Sequence, residues 1–206
     1  MVSVRPYRGV QAADRQAERR SRLLNAGLDI LGSDSDHAEL TVRAVCKRSG
    51  LTARYFYESF ADKDEFVVAV FDWVIADIAA TTQAAVSAAR PEEQTRAAMA
   101  NIVSTIIDDP RIGRLLFSSQ LANPALARKR IEATALMAML SAQQAMSALQ
   151  VPETDKLRAT SYFVVGGVVQ TIGSWLAGVI TLTADQLVDQ LSALLDQLAD
   201  RKLYLD

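Results

Sequence analysis

The spacing of apolar residues constrains this chain most. Leu24, Gly27, Leu28 and Leu31 fall at i, i+3, i+4 and i+7, the repeat of one helix face. Val42, Val45, Cys46 and Ser49 repeat the spacing, and Leu187, Leu191, Leu194, Leu195 and Leu198 form a third such stripe near the end. No stretch alternates with the period of two that a half-buried strand needs. Helix starts are equally marked. Thr41 suits an N-cap, and Asp62-Lys63-Asp64-Glu65 and Thr183-Ala184-Asp185-Gln186 read as capping boxes. Pro91, Pro110 and Pro124 suit the first position of a helix, the last two behind Asp109 and Asn123. Gly32, Gly50 and Pro152 mark stops. Together these signals predict an all-α chain of about nine helices. After the first helix they lie near residues 41–49, 52–58, 63–88, 92–107, 111–122, 125–149, 154–178 and 184–203.

Composition removes several function classes. Half of the 206 residues are hydrophobic, so a substantial core is available and disorder is not expected. A single Cys excludes an internal disulfide framework and a paired-cysteine zinc ribbon. A single His argues against His-pair metal sites and Ser-His-Asp catalysis. No metal site, cofactor or catalytic role is expected. The start, MVSVRPYRGVQAADRQAERR, has no apolar run behind its arginines, so a secretory signal is not expected and a cytoplasmic location is. The net charge of −2 conceals an asymmetry. Residues 1–57 hold ten Arg/Lys against six Asp/Glu, a surplus of +4, which leaves −6 for the remainder. A basic N-terminal third suits a polyanion, and an acidic remainder resists being wrapped by one.

One segment is long enough to cross a bilayer. Residues 159–184 carry no charge, and a membrane-anchored helical protein spanning there is one competing expectation; an all-α enzyme is another. Gln170, Thr171, Ser174 and four glycines within it, with a capping box directly after, favour a helix buried on every side instead. A helix wedged between its own core and a second subunit meets that description, and its Gly and Ser residues would let a partner helix approach closely.

The window TVRAVCKRSGLTARYFYESFADK, residues 41–63, carries the functional signal. Two short helices joined by Ser49-Gly50-Leu51 make a helix-turn-helix whose second helix can enter a major groove. Leu51, Phe56 and Phe60 would turn inward. The other face offers Thr52, Ala53, Arg54, Tyr55, Tyr57 and Glu58. Arg can pair with guanine O6/N7, Glu can accept from cytosine N4, and Ala or Tyr can pack on a thymine methyl. Thr and Tyr hydroxyls suit phosphates.

At this point the chain resembles the DNA-binding domain of the TetR family of bacterial transcriptional regulators. The resemblance covers about residues 22–74. It rests on Leu24 and Gly27 to Leu31, on Thr41-Val42-Arg43 with Gly50-Leu51-Thr52, and on the spacing Tyr57, Phe60, Lys63, Glu65. It implies that Thr41 caps the second helix and touches phosphate, and that Thr52 caps the recognition helix. It further implies that Tyr57 and Lys63 meet the DNA backbone and that Arg43, Arg54 and Tyr55 face the groove beside Ala53. Many members carry small residues where this chain has Arg54 and Tyr55, and acidic Glu58 follows Tyr57, so the operator cannot be copied from a relative.

The resemblance also implies a homodimer bound to double-stranded operator DNA and released by an unknown small hydrophobic effector. Residues 1–62 would be the DNA-binding domain, with 1–14 as a flexible arm, and residues 63–206 the effector-binding and dimerisation bundle. Val165, Val169, Ile172, Leu187, Leu191 and Leu194 are expected at the dimer interface, because they form a largely uncharged apolar face. Phe71, Met99, Val103, Ile106, Phe117, Gln120, Met137, Tyr162 and Trp175 are expected around an effector pocket, with Asn101 as a further polar group. Cys46 reads as an inert core thiol, His37 as a solvated loop residue, Asp108-Asp109 as a helix cap, and Arg128-Lys129-Arg130 as a solvated helix face.

Overall fold

The computed structural model describes residues 8–33, 40–118, 123–198, 200 and 203. Among these residues there are nine α-helices, one 3-10 turn at Pro91–Glu93 and no strand. The helices are α1 (Arg8–Leu31), α2 (Val42–Ser49), α3 (Ala53–Tyr57), α4 (Lys63–Ala88), α5 (Gln94–Asp108), α6 (Pro110–Phe117), α7 (Pro124–Leu149), α8 (Asp155–Leu176) and α9 (Ala184–Leu198).

Most of the starts follow from side chains that satisfy the free N–H groups of a first turn. Thr41 Oγ1 accepts from Ala44 N at 3.1 Å, Asp62 Oδ1 from Glu65 N at 2.8 Å, and Asn123 Oδ1 from Leu126 N at 3.0 Å. Thr183 and Gln186 exchange both bonds of a capping box. Two boundaries differ from expectation. Residues 8–14 belong to α1 rather than to a flexible arm, because GVQAADRQAERR is rich in strong helix formers; residues 1–7 lie outside the described residues. Helix α6 stops at Phe117, and Gln120 lies outside the described residues, as does His37. The apolar segment 159–184 is not one helix. Gly178 adopts φ +73° and closes α8, with its N–H donated to Trp175 O, and Val179 and Leu182 are exposed beyond it. No helix among the described residues is long and apolar enough to cross a membrane.

Helix α4 is the spine. Its first half packs under the N-terminal helices, and Phe66, Val67 and Val70 are fully buried there. Helix α1 crosses α4 at Gly27, where a Cβ would stand 2.6 Å from both Phe66 Cζ and Val70 Cγ2. Only glycine permits that approach without displacing the core. Phe56, Phe60 and Phe66 cluster with ring centroids 4.9 to 5.5 Å apart, so the short α3 is held mainly by aromatic burial. Each such ring contributes about 1.5–3 kcal/mol by burial alone. Further along α4, Phe71 and Val74 join the body, where α5 lies against α4 and α9, and α7 against α8. The core is continuous from Leu23 in α1 to Leu191 in α9.

The Arg128-Lys129-Arg130 run is not a plain solvated face. Arg128 is exposed, but Lys129 Nζ pairs with Asp72 of α4 at 2.9 Å. Arg130 is half-buried and donates to the carbonyls of Arg114, Leu115 and Ser118. It thus caps the C-terminus of α6, where orphan carbonyls favour a cation. Burial pushes its pKa below the usual guanidinium value. Cys46 is half-buried against the core, and burial raises its thiol pKa, which keeps it protonated and unreactive.

Candidate nucleic-acid interface and ligand cavity

The α2–α3 hairpin turns at Gly50, whose φ of 67° is the left-handed conformation that glycine adopts without strain. Helix α1 fastens this hairpin through three arginines. Arg22 Nη2 donates to Ser49 O at 2.7 Å at the end of α2, and Arg20 Nη1 donates to Ser59 O at 3.0 Å while lying over the Phe60 ring. Arg19 lies over the Tyr55 ring at 4.7 Å. These contacts fix the pose of α3 on a scaffold of α1 and α4, with Leu51 partly buried and Phe56 and Phe60 inside as expected.

The expected DNA-contacting residues fall into two groups. Arg43, Thr52, Ala53, Arg54, Tyr57 and Lys63 are exposed, and Thr41 is half-buried with its hydroxyl occupied as the α2 cap. Tyr57 keeps 60% of its surface accessible while its ring packs edge-on against Phe56. Lys63 stands at the first position of α4. Two assignments need correction. Tyr55 is half-buried beneath the Arg19 guanidinium, so its ring faces α1 rather than standing free for the groove. Thr52 holds the N-cap position of α3, but its hydroxyl makes no capping bond; its backbone carbonyl accepts from Tyr55 N instead. Arg54 is exposed but not unengaged, because its Nε donates to Glu58 Oε1 at 2.9 Å.

Between these N-terminal helices and the body lies a charged joint that sequence reading missed. Asp29 of α1 accepts from Arg48 Nε of α2 at 2.7 Å and is also bonded by Arg111 of α6. Arg111 bonds Asp109 in turn, and Asp109 caps α6 through Arg111 N at 3.1 Å. Next to it, Arg114 Nη1 donates to Gly32 O at the end of α1 at 3.0 Å. Burial pushes the Asp29 carboxyl up, but its bonds to Arg48 and Arg111 outweigh that and hold it below the ordinary value. The Arg111 side chain likewise holds Asp109 low, and Asp109 and Asp29 raise the Arg111 guanidinium further. The only sequence signal was Arg111 and Arg114 at i, i+3 behind Pro110; nothing local tied them to residues 82 positions earlier.

Helix α6 also walls a cleft of about 500 Å³. Ile106 and Ile107 of α5, Gly113, Arg114 and Phe117 of α6, and Gly173 and Leu176 of α8 line it. Of the eight expected pocket residues that are described, Ile106 and Phe117 reach this cleft. Phe71 and Met99 are core residues, Val103 lines a separate cleft of about 390 Å³ between α4, α5 and α9, and Ile106 is itself only 1% exposed. Tyr162 lines a separate cleft of about 580 Å³ between α7 and α8, together with Met139, Met146 and Arg158. Met137 is half-buried outside all three. Trp175 donates its indole N–H to Leu182 O at 2.8 Å and so pins the turn after α8. Asn101 is committed to Thr81 and Thr82 of α4.

The expected dimer residues separate in the same manner. Ile172, Leu187 and Leu191 are 1%, 0% and 4% exposed, so they belong to the protomer's own core and present no face to a partner. Val169 and Leu194 are exposed and Val165 is half-buried. The outward apolar surface lies mostly on α7 and α8, at Ile131, Met139, Leu140, Tyr162, Phe163 and the expected Val169, with Leu194 exposed on α9. A stripe at helical spacing does not say which neighbour it serves, and α9 spends its stripe on α5.

No protein-family model matches the chain, and no curated protein does. Solved structures do. The fatty acid degradation regulator FadR from Bacillus halodurans superimposes with a TM-score of 0.67 at 16% identity, over 86% of this chain and 94% of that one. A TetR-family transcriptional regulator from Streptomyces coelicolor gives 0.65 at 18%, over 91% and 85%. The transcriptional regulator FadR from Bacillus subtilis, solved in complex with stearoyl-CoA, gives 0.61 at 15%, over 85% and 96%. All three are regulators. Nine helices among the described residues, a helix-turn-helix fastened to α1 and a bundle behind it give this chain the fold of the TetR-family transcriptional regulators.

Proposed function

We propose that the chain is a homodimeric transcriptional repressor that leaves a palindromic operator when an apolar or amphipathic small molecule binds its body. Residues 1–62 serve as the DNA-binding unit and residues 63–206 as the effector and dimerisation unit. The cell location that fits is the cytoplasm. One observation carries this reading: α6 is a wall of the 500 Å³ cleft and is also the helix that bonds α1, through Arg111 to Asp29 and Arg114 to Gly32. A ligand that moves α6 acts directly on the helix that holds the recognition hairpin. It shifts the population away from DNA only to the extent that it binds the displaced arrangement more tightly.

The Bacillus subtilis neighbour was solved with stearoyl-CoA, and the cleft of this chain pairs Ile106, Phe117 and Leu176 with the cation Arg114. Long-chain acyl thioesters and fatty acids are therefore the first class to test. The second copy covers the exposed face of α8, where a Cβ added at Gly166 or Gly167 would meet nothing within 4 Å and Phe163 is 71% exposed. A two-fold pair of hairpins then matches a two-fold DNA site. Selection from a random duplex pool tests the reading. It should return an inverted repeat with half-site centres about one helical turn, or a multiple of it, apart. Recovery of no motif, or of a single unpaired half-site, overturns it.

A further inference from the structure

An acidic residue on a surface that meets a polyanion weakens binding, so Glu58 needs a reason. Its Oε1 accepts from Arg54 Nε at 2.9 Å, one helical turn back. Arg54 is 84% exposed and Glu58 41%, so the pair stands at the surface of the recognition helix rather than in the core. The bond occupies Nε and leaves both terminal amino groups of the guanidinium for another partner. Those two groups span O6 and N7 of a guanine when an arginine approaches end-on. An unheld arginine has many rotamers to lose on binding, and nearby phosphates compete for it as a point charge. The neighbouring Tyr55 is half-buried with its ring packed against the Arg19 guanidinium.

From this geometry we infer that Glu58 is a positioning residue that sets specificity: it holds Arg54 for end-on reading of a guanine in each half-site and discourages its capture by phosphate. The inference rests on the DNA-binding reading above. An exposed pair of this kind is worth about twofold in the free protein and more where DNA excludes water. Glu58→Ala should therefore lower the preference for guanine at one position per half-site by about two- to fivefold. It should at the same time raise affinity for non-specific duplex, since a negative charge is gone.

Glu58→Gln separates the two effects: it should show the same non-specific gain yet keep more of the guanine preference, because its amide oxygen can still accept from Arg54 Nε. In an Arg54→Ala background, Glu58→Ala should change base preference no further. Binding-site selection and competition titrations on the full chain read all four variants. A wild type that selects a motif which Glu58→Ala leaves unchanged overturns this inference alone. An equal change in the Arg54→Ala background also overturns it, by assigning Glu58 a structural role. A wild type that selects no motif overturns the DNA-binding reading and this inference with it.

Discussion

Replacing Gly32 by Ala tests the joint between α1 and α6 where the two helices are closest. A Cβ at position 32 would stand 2.5 Å from Arg111 Cβ, 2.6 Å from its carbonyl oxygen and 2.7 Å from its Cα. Ordinary contacts between such atoms lie at about 3.5–4.0 Å, so the helices must part by about 1 Å. Two of the three atoms are backbone, and no rotamer change relieves them. Overpacking of this kind costs about 1–3 kcal/mol, while reduced freedom of the unfolded chain offsets about 0.4–1 kcal/mol. The net is about 1–2 kcal/mol, or a Tm lower by about 2–8 °C for a chain of this size. Gly173→Ala is the control: its nearest neighbours are Phe117 atoms at 3.7 and 3.8 Å, and it lies inside α8, where Ala is favoured by up to about 1 kcal/mol. Urea unfolding followed by circular dichroism should rank Gly32→Ala below the wild type and Gly173→Ala at or above it. The displaced joint should also disturb the Arg114–Gly32 bond and blunt ligand-driven release of DNA. A Gly32→Ala protein within about 0.5 kcal/mol of wild type, the range of a neutral surface change, would refute the tight α1–α6 contact.

Asp29 and Asp109 both have folded pKa values below the ordinary 3.8, so their stabilisation is complete above that value and is lost as pH falls through the lower folded ones. The urea midpoint of the wild type should thus fall more steeply below pH 3.8 than that of Arg111→Ala, and parallel curves would contradict the network. Lys63→Ala should weaken binding to all DNA sequences similarly and reduce the slope of log affinity against log salt by about one. An unchanged slope would remove Lys63 from the backbone contacts. Val169→Asp should give soluble, folded monomers in sedimentation, whereas Leu191→Asp should unfold the protomer, because Leu191 is 4% exposed and a buried unpaired charge is strongly unfavourable. A dimeric Val169→Asp would move the interface off that face of α8.

Much of the fold was legible because its signals are local. Asp62, Asn123, Thr183 and the N-terminal prolines fix where helices start by satisfying their own first turns, and each starts within a residue or two of expectation. Gly50-Leu51-Thr52 and the Tyr57-to-Lys63 spacing disclosed the hairpin in the same manner. What failed was the assignment of apolar stripes to partners. Leu187 and Leu191 have the pattern of an interface, yet α5 already covers them; Phe71 and Met99 have the pattern of a pocket wall, yet they fill the core. Periodicity gives a face and not its neighbour. The joint at Asp29, Arg111 and Arg114 was invisible for another reason: it is made of charges that look solvated one at a time and pair only across 82 residues of chain. Glu58, read in the sequence as an acceptor for cytosine and as a departure from the family pattern, acquires a different meaning from a single distance to Arg54.

The central claim is that the α5–α6–α8 cleft and the DNA-binding hairpin are energetically coupled through α6. Reciprocal titration tests it most directly: affinity for the selected operator is measured with and without saturating long-chain acyl-CoA, and acyl-CoA affinity with and without operator. Linkage requires the two ratios to be equal, and a coupling of the usual size would make each about 5- to 150-fold. Equal ratios in that range, both collapsing in Gly32→Ala, are the result predicted. Acyl-CoA that binds the protein while leaving operator affinity unchanged would contradict the account.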